Sequence, residues 1–237
     1  MENVEHIFFI NLDHRVDRLN HVTHQLTNLG VIHKAERFPA IKTTSGAIGC
    51  ALSHMKCIEI AIARNYNNIF ICEDDITFLD IPVFTTSLQK FYSDFSKPET
   101  ETETPVWDVL IVSGNNGPPF QKISDSYMRI HNCQSTTGYI VNKHYYQTLL
   151  KNFKESTSLL VKEPSNREKY AIDMYWKKLQ TIHKWYLIIP VKVVQIESYS
   201  DVEEKFVDYK TLMLDYDKKI FLAHLMKKKQ QRLETDK

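Results

Sequence analysis

No stretch of this chain stays apolar for long. The run after the acidic start MENVEH is only Ile7 to Ile10, which predicts neither a signal sequence nor a membrane span, and no later stretch reads as long enough. No charge of one sign prevails either: 30 Lys and Arg stand against 29 Asp and Glu, a net of +1. A nucleic-acid partner or an anionic membrane surface is therefore not expected. The basic end LMKKKQQRLETDK reads as a solvated helix. Cysteine is scarce, with 4 in 237 residues. Cys50 and Cys57 are seven apart on one predicted helix, about 10 Å along its axis and beyond disulfide reach. Asn-x-Ser/Thr acceptors are absent. Both absences predict a reducing compartment, the cytosol.

What is present is the balance of a globular protein, 43% hydrophobic and 25% charged. HIFFIN (6–11) reads as a central strand. Leu19, Val22, Leu26 and Leu29 then follow a helical spacing that ends at Gly30, a C-cap glycine. VIHKAERF (31–38) is a second strand, and Leu52, Met55, Ile58 and Ile62 mark a helix ending near Arg64. NIFIC (68–72) is the next strand, and Phe84, Leu88, Phe91 and Phe95 define a third helix. The acidic, proline-bounded stretch 96–105 is a surface loop or lobe boundary. Strands at 106–114, 136–141 and 185–190, helices at 143–153 and 167–179, an irregular VKVVQIESYSD and a long C-terminal helix complete the reading. That last helix would carry Tyr209, Leu212, Tyr216 and Ile220. Alternating strands and helices predict an α/β domain with a mostly parallel central sheet flanked by helices. It would span 1–204, with the helix and tail at 205–237.

In such sheets ligands collect at the carboxyl ends of the strands. Three strands here run into polar residues: FFIN into LDHRVDR, IFIC into EDD, and LIV into SGNN. If the segment stays extended, Glu73 and Asp75 project to the same side while Asp74 faces away. Two converging carboxylates whose repulsion a cation relieves suit Mg²⁺ or Mn²⁺, and the competing reading is a helix N-cap. Asp13, Arg15, Asp17 and Arg18 lie just past the first strand. They either hold a diphosphate or pair among themselves around a helix start. In GAIGCALSH, two glycines allow close backbone approach. Ser53 and His54 sit about 100° apart on one helix, so they cannot act on each other as nucleophile and base. Cys50 reads as a small buried hydrophobe rather than a nucleophile.

FFINLDHRVDRLNHVTHQL, GAIGCALSHMKCIEIA, NIFICEDDITF, WDVLIVSG, TTGYIVNKHYYQTLL and VVQIESYSDV stand in the order found in family 25 glycosyltransferases, which the chain resembles over nearly its whole length. The most specific parts are the Asn-Leu-Asp start, the Gly-Cys-x-Leu-Ser-His segment and the acidic triplet. The resemblance implies a GT-A-like fold and a UDP-sugar donor, usually UDP-galactose or UDP-glucose. It also implies a glycan or hydroxylysine-type protein acceptor and a divalent cation, Mn²⁺ or Mg²⁺. Carried over, Asn11, Asp13, Arg15 and Arg18 belong to the nucleotide pocket, with Gly49, Ser53 and His54 on its wall. Glu73, Asp74 and Asp75 form the Asp-x-Asp-like motif, Glu73 and Asp75 taking the metal and Asp74 serving the donor.

In YAIDMYW, Asp173 resembles the acceptor-activating base, although Ala171-Ile172 stands where the family often has Pro or Val. The expected reaction is metal-dependent hexosyl transfer with inversion. A divalent-metal phosphohydrolase, which also clusters acids at strand ends, and a non-catalytic scaffold of the same shape are the alternatives.

Overall fold

Every core strand alternates its side chains between two hydrophobic layers, and this alternation organises the molecule. The computed structural model describes residues 1–96, 106–203 and 205–223; most of the expected acidic loop and the basic tail lie outside the described residues. The chain runs β1 (His6–Asn11), α1 (Val16–Asn28), β2 (Ala35–Pro39), α2 (Gly46–Ala63), β3 (Asn68–Glu73), β4 (Ile76–Phe78) and α3 (Ile81–Phe95). After the gap come β5 (Val109–Asn116), β6 (Phe120–Lys122), β7 (Tyr127–Ile130), β8 (Cys133–Asn142) and α4 (Tyr146–Lys162). Three short helices follow, α5 (Arg167–Tyr170), α6 (Ile172–Tyr175) and α7 (Lys177–Gln180). The last elements are β9 (Trp185–Ile188), β10 (Val193–Gln195), β11 (Ser198–Ser200), β12 (Lys205–Val207) and α8 (Lys210–Leu214).

The main sheet has the order β2-β1-β3-β8-β5-β9-β7-β6. Strand β1 pairs parallel with β2 and β3, and β5 with β9, while β8 lies antiparallel between β3 and β5. Strand β7 is antiparallel to both β9 and β6. Only β7 and β8 therefore oppose the common direction, which is the mostly parallel α/β sheet that the sequence predicts. Phe8, Ile10, Ile69, Ile71, Val109, Ile111, Tyr139 and Val141 face one layer with Met55 and Ile58 of α2 and Leu149 and Phe153 of α4. Their neighbours Ile7, Phe9, Phe70, Leu110 and Ile140 face the other, with Val22 and Leu26 of α1 and Phe84, Leu88 and Phe91 of α3.

Local signals set the helix ends. Gly30, at φ +77°, closes α1: its N–H donates to Thr27 O while Val31 N–H donates to Leu26 O. Asp80 caps α3 by accepting from Val83 N at 3.0 Å. Helix α2 is long and apolar enough to cross a membrane by length and composition, contrary to the expectation that no segment is. Half of it is buried, packed on the sheet and on α4.

Four expectations are corrected. Only the second half of the expected 31–38 strand is extended, because Ile32–Lys34 forms a 3-10 turn. The single helix expected at 167–179 is three turns, because Ala171 (φ −58°, ψ 146°) leaves the helical region. VKVVQIESYSD is not irregular; β10 pairs with β4, and β11 forms a ladder with β12. In place of one long C-terminal helix from 205, β12 and the five-residue α8 occupy 205–214, α8 ends at Leu214, and residues 219–223 are helical again. The main sheet also takes in β6 and β7, where the sequence pattern predicts no strand.

Gly49 decides how loop 40–44 meets α2. A Cβ there would lie 2.4 Å from Ile41 O, a backbone atom that cannot rotate away. Gly49→Ala is expected to lower stability by about 1–3 kcal/mol, read as an earlier urea midpoint; an unchanged midpoint would contradict this packing.

Candidate active site

A hollow of about 510 Å³ opens where the carboxyl ends of β1 and β3 meet α2, the start of β8, α6 and the segment 195–203. The pleat of β3 directs its first acid. Ile69 and Ile71 face the α2 layer, so Glu73, two residues further on, faces it too. There Glu73 Oε1 accepts from Thr136 Oγ1 at 2.6 Å and lies 3.4 Å from His54 Nε2 and 3.7 Å from Cys50 Sγ.

After Glu73 the chain leaves the sheet, and Asp74 and Asp75 form the two-residue turn into β4. The alternation expected of an extended triplet therefore stops at Glu73, and Asp74 does not face away. It lines the hollow beside Asp75, and one guanidinium serves both: Arg18 NH1 is 3.0 Å from Asp74 Oδ1 and 3.3 Å from Asp75 Oδ2. Asn11 Nδ2 donates to the other Asp74 oxygen at 2.7 Å. Asp75 Oδ2 also accepts from Gln195 Nε2 at 3.3 Å. Asp75 Oδ1 is buried and has no hydrogen-bond partner among the described residues. An orphaned carboxylate oxygen in a buried site is costly unless something binds it.

The same hollow is lined by Asp173, in the first turn of α6 and set there by the break at Ala171. Its Oδ2 accepts from Ser135 N at 3.0 Å. Ser53 ties loop 40–44 to α2: its Oγ donates to Gly49 O at 2.8 Å and accepts from Ile41 N at 2.8 Å. That is a structural role, holding the loop to the helix. His54 is fully buried and joins Tyr139 OH to its Nδ1 at 2.8 Å.

Of the residues singled out in the sequence, Arg18, Gly49, Ser53, His54, Glu73, Asp74, Asp75 and Asp173 line this one hollow. Asn11, Asp13 and Arg15 are not in its wall. Asn11 is buried behind it and orients Asp74. Asp13 is exposed and pairs with Arg37 at 2.6 Å. Arg15 pairs with Asp17 and reaches Asp201 at 2.6 Å, which fixes the strap after β11. Thr136 and Gln195 also line the hollow and carry no spacing pattern that the sequence could show, whereas Asn115, which lines it too, belongs to the polar strand end SGNN. The Asn115 Oδ1 is buried and has no hydrogen-bond partner among the described residues.

The carboxyl groups titrate apart. Burial pushes Asp75 up to about 7, reinforced by the negative charge of Glu73 and opposed by Arg18. Burial also raises Asp74, against Arg18 and Asn11. It raises Asp173 as well, against the Ser135 N–H. Burial acts upward on Glu73 too, but the hydrogen bonds from His54 and Thr136 outweigh it and hold this group below its ordinary value.

For Asp75 the native state keeps a proton that the unfolded chain has released, so stability falls as pH rises from about 4 to about 7. The contribution is on the order of 4 kcal/mol. Between pH 5 and pH 8, which covers roughly two thirds of that contribution, wild type with chelator present is expected to lose about 5–10 °C more in Tm than Asp75→Asn; equal losses would contradict the assignment.

Residues 42–176, more than half of the chain, match the sequence profile of "Glycosyltransferase family 25 (LPS biosynthesis protein)". A "Glycosyltransferase 25 family member" of Aedes aegypti is 30% identical over 103 residues, covering 32% of this chain and 17% of that protein. The matched part thus spans about a sixth of that relative's length. Among solved structures, a glycosyltransferase involved in the glycosylation of the major capsid of PBCV-1 aligns with TM-score 0.49 and 11% identity, over 84% of this chain and 95% of that one. A197 from STIV aligns with TM-score 0.46 and 12% identity, over 86% and 93%. The chain belongs to glycosyltransferase family 25.

Proposed function

We propose that this family 25 chain moves a hexose, galactose or glucose, from a UDP-sugar to a hydroxyl of a glycan or hydroxylysine-type protein acceptor, with inversion and with Mn²⁺ or Mg²⁺. The carrying observation is Asp75 Oδ1, a buried carboxylate oxygen without a partner among the described residues, beside Glu73 and facing the same hollow as Asp173. Oxygen donors crowded against their own repulsion fit a hard dication. Glu73 and Asp75 would hold it, and when bound it would neutralise the charge that grows on the departing diphosphate.

The chain's own groups do the rest. Asn11 fixes Asp74, and Asp74 with Asp75 holds the Arg18 guanidinium at the same wall, where its charge favours a diphosphate over water. Gly49 and Ser53 keep loop 40–44 against α2 and so shape the donor side. On the acceptor side, Asp173 presents one oxygen to the Ser135 N–H and has the other to take the acceptor's proton. Burial raises its basicity, which strengthens a general base. Inversion follows when that base and the leaving diphosphate stand on opposite faces of the sugar. The four cysteines, all free, suit a reducing compartment.

Asp173→Asn is expected to lower transfer ~10²–10⁴-fold while calorimetry finds UDP binding with Mn²⁺ within a few-fold of wild type. Transfer retained within a few-fold would remove Asp173 as base. UDP release that never depends on an acceptor would favour the phosphohydrolase.

A further inference from the structure

Two side chains of the hollow, Cys50 and His54, have a chemistry that the proposed hexosyl transfer does not use, and both face Glu73. Cys50 and His54 are four apart on α2 and so stand one above the other on one helix face. Glu73 reaches them from the end of β3. Cys50 Sγ, His54 Nε2 and a Glu73 carboxylate oxygen all lie within 4.8 Å of one another. The two contacts to Glu73 Oε1 are 3.4 Å from His54 Nε2 and 3.7 Å from Cys50 Sγ. The nitrogen contact is longer than a good N–H···O hydrogen bond. Both distances are close to the edges of a tetrahedron built on ordinary zinc bond lengths, about 3.4 Å for N to O and about 3.6 Å for S to O.

The surroundings are those of ligands already oriented. His54 Nδ1 is 2.8 Å from Tyr139 OH; in the metal-bound form an Nδ1–H donated to that oxygen would leave Nε2, which without an ion donates to Glu73, with its lone pair for the ion. Thr136 Oγ1 donates to Glu73 Oε1 at 2.6 Å and steadies the carboxylate. The orphaned Asp75 Oδ1, on a residue only 6% exposed, belongs to the same hollow. A thiol, an imidazole and a carboxylate form a softer donor set than the all-oxygen cluster beside them.

We infer that Cys50, His54 and Glu73 form a tetrahedral three-ligand site for a borderline-soft divalent ion of the Zn²⁺ class, with its fourth position open to the hollow. Binding replaces the Cys50 S–H bond by an S–metal bond and releases one proton to solvent. The site stands without the transfer reaction. Its consequence rests on the function proposed above, because Glu73 belongs to both donor sets and a softer ion would draw it from the oxygen cluster.

Cobalt(II) titration of the metal-free full chain tests this. The expected result is one equivalent bound with intense visible bands of tetrahedral Co²⁺ and a near-ultraviolet thiolate-to-cobalt band, all bleached by Zn²⁺. Cys50→Ser should lose the charge-transfer band and weaken Zn²⁺ binding at least ~10-fold, with circular dichroism unchanged. Wild type lacking the thiolate band would overturn the inference whether or not Cys50→Ser folds. So would a weak octahedral spectrum abolished by Asp75→Asn, which would leave the oxygen-only metal reading standing. A thiolate band that persists in folded Cys50→Ser would also overturn it.

Discussion

One guanidinium holds this site together. Arg18 lies against Asp74 and Asp75 with NH1 and donates through NH2 to Ser198 Oγ at 2.6 Å and Tyr199 O at 2.9 Å. It therefore links the acidic turn to the strap that forms the far rim of the hollow. The single charge of Arg18 cannot balance Glu73, Asp74 and Asp75 together, and Asp173 has Lys177 and the Ser135 N–H against its burial. Burial and mutual repulsion accordingly push three of the four toward their protonated forms, and only Glu73, held by His54 and Thr136, goes the other way. A fold that wanted only stability would place apolar residues here. The retained acids mark a site whose stability is lowest when nothing is bound.

The fold is legible in the sequence where burial imposes a period. β1, β3 and β5 announce themselves as apolar runs, and their two-residue alternation assigns each side chain to the α2 and α4 layer or to the α1 and α3 layer. The same period carries Glu73 to Cys50 and His54. The glycines of GAIGC are also readable: at Gly46 a Cβ would lie 2.8 Å from Asp201 O, and at Gly49 it would strike Ile41 O.

Where tertiary contacts decide, the sequence is silent. Strand β6 is only three residues long and pairs with β7, so neither carries enough period to be seen. Nothing local says that Ala171 breaks a helix, yet that break sets Asp173 at the start of a new turn. Arg15 and Asp13 sit close to Arg18 in sequence, but Arg15 is spent on Asp17 and on Asp201 at the edge of the hollow, and Asp13 turns outward to Arg37. Asp75 stands out in the sequence as one of an extended pair; its place in a turn beside Asp74 depends on where β3 ends.

Carboxylates gathered to hold a doubly charged ion are the feature on which the proposed chemistry depends. Electron paramagnetic resonance of free Mn²⁺, titrated into the chain at pH 8, measures this directly. Wild type should remove one equivalent of the signal and Asp75→Asn should remove almost none. If both leave the same free Mn²⁺, the cluster does not exist to bind a metal.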